Sequence, residues 1–151
     1  MAQINVYLNF EGNCLEAFEF YKSVFGGEFP YVGKFSDMPP SEEYPVSEAD
    51  KNKIMHISLP ISQETVLMGS DVIGGNCAGG KFAKGNNIQL SVNAGSREEA
   101  DKLFNGLSAG GEVTMPLQDT FWGAYFGMWT DKFGISWMVN YDDPSKQQQH
   151  P

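Results

Sequence analysis

Asn5-Val-Tyr-Leu-Asn-Phe10 and Asn87-Ile-Gln-Leu-Ser-Val92 are near copies of one phrase, and the residues after each copy repeat as well. The first leads through Asn13-Cys-Leu-Glu16 into an amphipathic stretch closed by Gly26-Gly27-Glu28. The second leads through Ser96-Arg-Glu-Glu99 into another, closed by Gly110-Gly111-Glu112. The offset is 82 from Asn5 to Asn87, 83 from Asn13 to Ser96 and 84 from Gly26 to Gly110. A drift of one residue per connection marks a duplicated structural unit that has taken small insertions. A duplicated unit is expected to build its binding site between the copies.

Residues 4–10 alternate, with Ile4, Val6, Leu8 and Phe10 on one face and Asn5, Tyr7 and Asn9 on the other, so a strand with one buried face is expected. Asn13 and Glu16 stand at capping-box spacing and start a helix. Its apolar stripe is Ala17, Phe20, Tyr21 and Val24, and Gly26-Gly27 ends it. Strands are expected at 28–35, 54–61 and 65–70, the last two joined by a hairpin at Ser62-Gln63-Glu64. The first copy therefore reads β-α-β-β-β. The second follows suit: strand 87–93, a Ser96-x-x-Glu99 capping box, a helix with Ala100, Leu103, Phe104 and Leu107 inward, and strands at 112–116, 122–130 and 135–140. The boundaries are module one at about 3–71, a glycine-rich seam at about 72–86, module two at about 87–141 and a polar tail at 142–151, all within one domain. The acidic, proline-broken segment 36–53 is either a lid or a surface loop.

A net charge of −9 with ten scattered basic residues argues against nucleic acid and against a membrane-surface helix. No run is long enough to span a membrane. Cys14 and Cys77 are too few for a disulfide framework or zinc knuckle, and a reducing cytoplasm is the expected location. Cys14 falls in a first helical turn, where the dipole lowers a thiol pKa, but simple burial is the commoner role. Gly75-Asn-Cys-Ala-Gly-Gly80-Lys81 has Walker A spacing, yet Phe82 replaces the hydroxyl and Ala83-Lys-Gly-Asn-Asn87 holds helix breakers.

Tandem β-α-β-β-β units, with helices outside and strands curling into a cup, resemble the vicinal oxygen chelate superfamily, which includes glyoxalase I, extradiol dioxygenases and the bleomycin-resistance proteins. The chain is most similar to its PhnB-like branch. Leu8-Asn-Phe-Glu-Gly-Asn-Cys14 with Phe20-Tyr-Lys-Ser-Val-Phe-Gly-Gly27 matches the opening, and Met55-His56 the middle. Pro116-Leu-Gln-Asp-Thr-Phe-Trp-Gly123, Phe126-Gly127 and Thr130-Asp-Lys-Phe-Gly134 through Trp137-Met-Val-Asn140 match the close. The resemblance implies an α+β fold, a curved mixed sheet with helices on its outer face, and a homodimer. No Gly-rich β-α turn for S-adenosylmethionine or a dinucleotide is present, which counts against the ubiquinone-precursor methyltransferase label that travels with this branch.

In metal-using relatives each module supplies one ligand, usually His, from its first strand and one, usually Glu, from its last. Carried over, these positions are Asn5 and Asn87, and Met68 and Met138, the latter two related by a hairpin offset of 70. Two carboxamides and two thioethers carry no charge for a hard divalent cation, so no metal and no cofactor is expected; His56 and Glu112 are the residues an unorthodox site would use. What remains is Asn5, Tyr7 and Asn9 from one copy and Asn87, Gln89 and Ser91 from the other, among aromatics Phe121, Trp122, Tyr125, Trp129 and Trp137. Neutral donors and acceptors with aromatic walls suit a small molecule, and Asn5, Tyr7, Asn9, His56, Met68, Asn87, Gln89, Trp122, Trp137 and Met138 are the candidate ligand-binding residues. For any single tryptophan a core role is slightly the commoner, solvent is the alternative for the polar faces, and a lone His in an apolar strand such as His56 is more often a satisfied core residue than a catalyst. The leading expectation is a metal-free small-molecule-binding protein; the alternative is a metal-dependent lyase, isomerase or dioxygenase of the same superfamily. A phosphonate ligand would need an Arg cluster, and only Lys34, Lys81, Lys84 and Arg97 are conceivable.

Overall fold

The computed structural model describes residues 2–39, 42, 45–74, 76–77 and 80–146. Two compact units divide it, Met1–Ala83 and Lys84–Pro151, hereafter the first and second units. The first unit carries β1 (Val6–Phe10), α1 (Cys14–Phe25), β2 (Tyr31–Lys34), a 3-10 turn (Phe35–Asp37), β3 (Ile54–Pro60) and β4 (Val66–Asp71). A two-residue pair, β5 (Asn76–Cys77) and β6 (Gly80–Lys81), comes next at the seam. The second unit carries β7 (Leu90–Asn93), α2 (Arg97–Ser108), β8 (Glu112–Asp119), β9 (Ala124–Thr130) and β10 (Ser136–Asp142).

The strand orders are β1-β4-β3-β2 and β7-β10-β9-β8, so the two units share one topology. In each, the first strand lies parallel to the last and every other pairing is antiparallel. A parallel neighbour cannot be reached by a hairpin, and the helix supplies part of the long crossover. Each unit is thus a four-stranded mixed sheet with one helix, as expected for the α+β glyoxalase/bleomycin-resistance fold.

Each helix lies against one face of its own sheet. In the first unit Cys14, Ala17, Phe18, Tyr21 and Val24 are buried, and Phe18 packs edge-on against Phe10 and Tyr21. Phe18, not Phe20, completes the stripe; Phe20 is half-buried. In the second unit the buried residues of α2 are Ala100, Leu103, Phe104 and Leu107, as the spacing predicts. Phe104 meets Trp129 edge-on, and the rings of Trp129 and Trp137, cross-strand partners, lie nearly parallel with centroids 6.3 Å apart.

The two helix starts are built differently. Ser96 Oγ accepts from Glu99 N at 3.1 Å, and Glu99 Oε1 accepts from Gly95 N, one residue before the cap. Asn13 makes no side-chain capping bond. Its place is taken by Asp71, 3% exposed, whose Oδ1 accepts from Gly12 N and Cys14 N while Oδ2 accepts from Ile54 N. One carboxylate from the end of β4 thus ties the β1–α1 turn to the start of β3, a service that sequence spacing assigns to Asn13.

Several boundaries also move. β1 starts at Val6 and β7 at Leu90, later than the expected 4 and 87, and β2 is confined to four residues. β8 runs to Asp119, with irregularities on both sides of Met115. The hairpin at 62–64 holds: Ile61 N donates to Thr65 O, and Ser62 Oγ accepts from Glu64 N and Thr65 N. Of the segment 36–53, residues 40, 41, 43 and 44 lie outside the described residues, as do 147–151 of the tail, including His150. Gly75, Ala78 and Gly79 of the Walker-like string are likewise undescribed; Asn76–Cys77 pairs with Gly80–Lys81 as strands.

Candidate functional site

Alternation divides each sheet into a face beneath its helix and a helix-free face. Two glycines fix the assignment. A Cβ at Gly69 would stand 2.7 Å from Phe18 Cε1, and one at Gly127 would stand 2.9 Å from Phe104 Cε2. Both glycines therefore face their helices, and their strand neighbours Met68 and Ser70, Phe126 and Met128, point to the other side.

On the helix-free face of the first unit, Tyr7, Met68, Ser58 and Tyr31 are successive cross-strand partners from β1 to β2. Two residues along, Asn9 stands opposite Ser70 and His56 opposite Gly33. The Tyr7 hydroxyl and His56 Nδ1 share a hydrogen bond of 3.2 Å. The His56 ring centroid lies 5.6 Å from that of Tyr7 and 5.8 Å from that of Tyr31, so the imidazole sits between two phenols. A Cβ at Gly33 would meet Tyr31 Oη at 2.6 Å; the missing side chain is what lets the Tyr31 ring lie over its own strand beside His56. Ser70 Oγ donates to Asn9 Oδ1 at 3.4 Å. Tyr7 and Tyr31 are 45% and 49% exposed, and His56 and Met68 are half-buried.

On the helix-free face of the second unit, Ser91, Met138, Met128 and Met115 are successive partners from β7 to β8. The next row is Asn93, Asn140, Phe126 and Gln118. Trp122, half exposed, packs edge-on to Phe126 with centroids 6.1 Å apart. Of these, only Met138, Ser91 and Trp122 stand out from the sequence. Met115, Met128, Asn140 and Gln118 were hidden because a single strand's alternation does not reveal which residues of other strands lie beside it.

Register also corrects the equivalence between copies. Leu67 pairs with Val6 and Trp137 with Leu90. From Leu67 to Trp137 is 70 residues, the expected hairpin offset, while from Val6 to Leu90 is 84 rather than 82. Asn5 therefore corresponds to Gln89, not Asn87, each standing one residue before its strand. Identical side chains drew the shorter offset, whereas the hydrogen-bond ladder sets the true one. A two-residue slip keeps every side chain on its face. In this register Asn9 matches Asn93, Met68 matches Met138, and His56 matches Phe126. Asn5, Asn87 and Gln89 are exposed.

Met68 and Met138, positions that the sequence resemblance assigns to metal ligands, carry donors that do not fit a hard divalent ion. Met68 stands opposite Tyr7, and Met138 opposite Ser91, so thioethers neighbour hydroxyls where a divalent ion asks for carboxylate, imidazole or thiolate. Among the described residues no group of three or more His, Cys, Asp and Glu is placed to hold a metal. Glu112 pairs with Thr130 at the end of the second unit's sheet.

Other candidates are spent on structure. Trp137 is 1% exposed, and its Nε1–H donates to Asp131 Oδ2 at 2.8 Å. Asp131, itself buried, also accepts from Phe133 N and Ile135 N, closing the β9–β10 turn. Arg97 holds Asp119 with both terminal nitrogens at 2.9 and 3.3 Å, reaches Asp143 at 3.3 Å and lies over the Tyr125 ring. These bonds raise the guanidinium pKa further and, with Lys146, hold Asp119 down at about 2. Arg97 is thus committed to carboxylates of its own chain. Cys14 is fully buried, and burial first, with the nearby Asp71 charge second, pushes its thiol pKa up; no dipole-activated thiolate forms there.

No helix among the described residues is long and apolar enough to cross a membrane. The family model for 3-demethylubiquinone-9 3-methyltransferase matches residues 2–140. Protein YjdN of Escherichia coli (strain K12) is 30% identical over 137 residues, covering 91% of this chain and 93% of that protein. The crystal structure of protein PA1353 from Pseudomonas aeruginosa is 41% identical with a TM-score of 0.77, covering 95% of this chain and 99% of that one. The putative 3-demethylubiquinone-9 3-methyltransferase, PhnB protein, from Bacillus cereus is 25% identical with a TM-score of 0.70, covering 93% and 99%. The chain belongs to the 3-demethylubiquinone-9 3-methyltransferase family, the PhnB-like family.

Proposed function

We propose that this protein binds a small, partly aromatic or amphipathic molecule on its helix-free sheet faces, without a resident divalent metal ion. The observation that carries this reading is the composition of those faces. In the first unit, phenols, an imidazole, a thioether, hydroxyls and a carboxamide stand side by side at Tyr7, His56, Tyr31, Met68, Ser58, Ser70 and Asn9. Aromatic surface with a few directed neutral polar groups is what a small-molecule site needs, and it offers an ion nothing to neutralise its charge.

The family's name speaks of methyl transfer, and the β-α turns bear on that. Backbone N–H groups at a helix start are where a cofactor's anionic group would dock. Here Gly12 N and Cys14 N already donate to Asp71, and Gly95 N and Glu99 N donate within the second capping box. Those four N–H groups are held by the chain's own side chains, which supports capture of a ligand over transfer from a bound cofactor.

We also propose that the protein is a cytoplasmic homodimer. Phe121, 89% exposed, and its T-shaped partner Trp122 form an apolar knob suited to an isologous contact. Sedimentation giving a monomer at micromolar concentration would remove the dimer. The binding reading is tested by ligand-observed NMR on chelator-treated protein against a set of neutral and charged aromatic fragments. Fragments that bind, and that lose affinity in Tyr7→Ala, support it. A protein that binds fragments or turns them over only after loading with Zn²⁺, Ni²⁺, Mn²⁺ or Fe²⁺ overturns it in favour of a metal-dependent enzyme.

A further inference from the structure

We infer that the helix-free face of the second unit is a two-row template for an uncharged aromatic molecule bearing a hydrogen-bonding group at one edge. The inference rests on the binding reading proposed for both faces and names the ligand's class and its place.

The first row is three half-buried thioethers, Met138, Met128 and Met115, side by side on β10, β9 and β8. Adjacent strands are roughly 4.8 Å apart, so the row is about as wide as a fused bicyclic ring is long. Methionine is flexible and polarizable, and sulfur favours contact with aromatic rings. A row of three, repeated by direct cross-strand pairing, is a soft flat surface that conforms to a planar ring. The second row is Asn93, Asn140, Phe126 and Gln118, two residues and therefore roughly 6.8 Å along β7, β10 and β9, and three residues along β8, whose irregularity after Met115 takes up the extra one. Three of its four members are carboxamides, which both donate and accept. A ring seated on the thioethers would place a hydroxyl, carbonyl or amide substituent on its edge within reach of Asn140 and Gln118.

Charge decides the class. Neither row contains a formal charge. The ionised groups at the ends of the face are both acidic: Glu112 opposite Thr130 at one end, and Asp142 opposite Ala124 at the other. Asp142 also holds one Asn140 N–H at 3.1 Å, which orients that carboxamide. The guanidinium of this unit, Arg97, is bound to Asp119 and Asp143. An anionic ligand would be stripped of water with no cation among the described members of the rows and with carboxylates nearby. A cationic ligand on the rows would meet those carboxylates only at the exposed ends of the face, where water screens them, with no counter-charge in the rows beneath it.

The experiment compares four probes at pH 7 by calorimetry and by the 13C-methyl resonances of labelled methionines: 2-naphthol, 2-naphthoate, (2-naphthylmethyl)ammonium and naphthalene. The inference expects 2-naphthol to bind about tenfold or more tighter than 2-naphthoate, with shifts at the Met115, Met128 and Met138 methyls. It expects 2-naphthol to exceed naphthalene about fivefold, the effect of one net hydrogen bond. Asn140→Leu should erase that fivefold difference and leave naphthalene binding unchanged, whereas Met128→Ser should weaken both probes together. Each variant is checked for native melting, and Gln118→Leu replaces Asn140→Leu should the latter not fold. Naphthoate or the ammonium binding as tightly as naphthol overturns the class while leaving the binding reading intact, as do shifts confined to the first unit. Failure of all four probes overturns both.

Discussion

The two helix starts allow a sharp test, because sequence gives Asn13 and Ser96 the same capping role and the structure does not. Ser96→Ala removes the bond from Glu99 N and should cost about 1 kcal/mol, as N-cap losses do. Asn13→Ala removes no capping bond and should stay within about 0.5 kcal/mol of the parent. Asp71→Asn is the severe change. The carboxylate accepts three backbone N–H groups at 2.9, 3.0 and 2.9 Å, and the amide retains one acceptor oxygen while turning an NH₂ toward a donor. At least one buried N–H is orphaned. Hydrogen bonds to a charged group are worth about 1.5–3 kcal/mol each, so the loss should be about 2–3 kcal/mol. For a chain of this size a loss of 1 kcal/mol lowers the midpoint by about 2–4 °C. Thermal unfolding followed by circular dichroism should therefore rank Asp71→Asn below Ser96→Ala, with Asn13→Ala near the parent. Amide exchange should accelerate at Gly12, Cys14 and Ile54 in Asp71→Asn. An Asn13→Ala variant as unstable as Ser96→Ala, or an Asp71→Asn variant melting with the parent, refutes the reasoning.

Trp137→Phe should cost about 1–3 kcal/mol through the lost Asp131 bond and the void left by the smaller ring, yet leave probe affinity unchanged, which calorimetry and melting together check. Asp119, held near 2 by Arg97 and Lys146, has its folded pKa depressed; its contribution to stability is present above the unfolded carboxylate pKa and fades as pH falls from about 4 toward 2. Asp119→Asn should flatten the midpoint-versus-pH curve in that window, and an unchanged slope would count against the ion-pair network. Gly69→Ala should destabilise strongly, since its Cβ would press on Leu8 O at 2.9 Å as well as on Phe18; a parental melting curve would contradict the assigned face. Cys14 should resist alkylation by iodoacetamide in native protein at pH 8 and react on unfolding, as mass spectrometry of the tryptic peptide can show.

Features carried by periodicity and repetition were legible in the sequence. The duplication, the two helices, the α2 stripe, the 62–64 hairpin and the correspondence of Met68 to Met138 all come from local spacing, and the structure agrees. Features that depend on contacts between distant strands escaped it. Asp71 caps a helix that starts 57 residues earlier, and nothing near Asn13 announces that. Phe18 rather than Phe20 faces the sheet because the helix is rotated to seat a ring on Gly69. The rows of the helix-free faces exist only once register is known: Met115, Met128 and Met138 come from three strands, and Tyr31 reaches His56 through the space left at Gly33. Trp122 and Trp137 look alike in sequence, but one is half exposed and the other buried against Asp131.

The binding proposal depends most on Met68 and Met138, neutral groups at the positions that the sequence resemblance assigns to metal ligands. Elemental analysis of protein purified without chelators, paired with 2-naphthol titrations before and after EDTA, addresses it directly. The expected result is Zn, Ni, Mn and Fe far below one ion per chain, and an affinity that EDTA leaves unchanged. One tightly held divalent ion per chain, removed by EDTA together with naphthol binding, would contradict it.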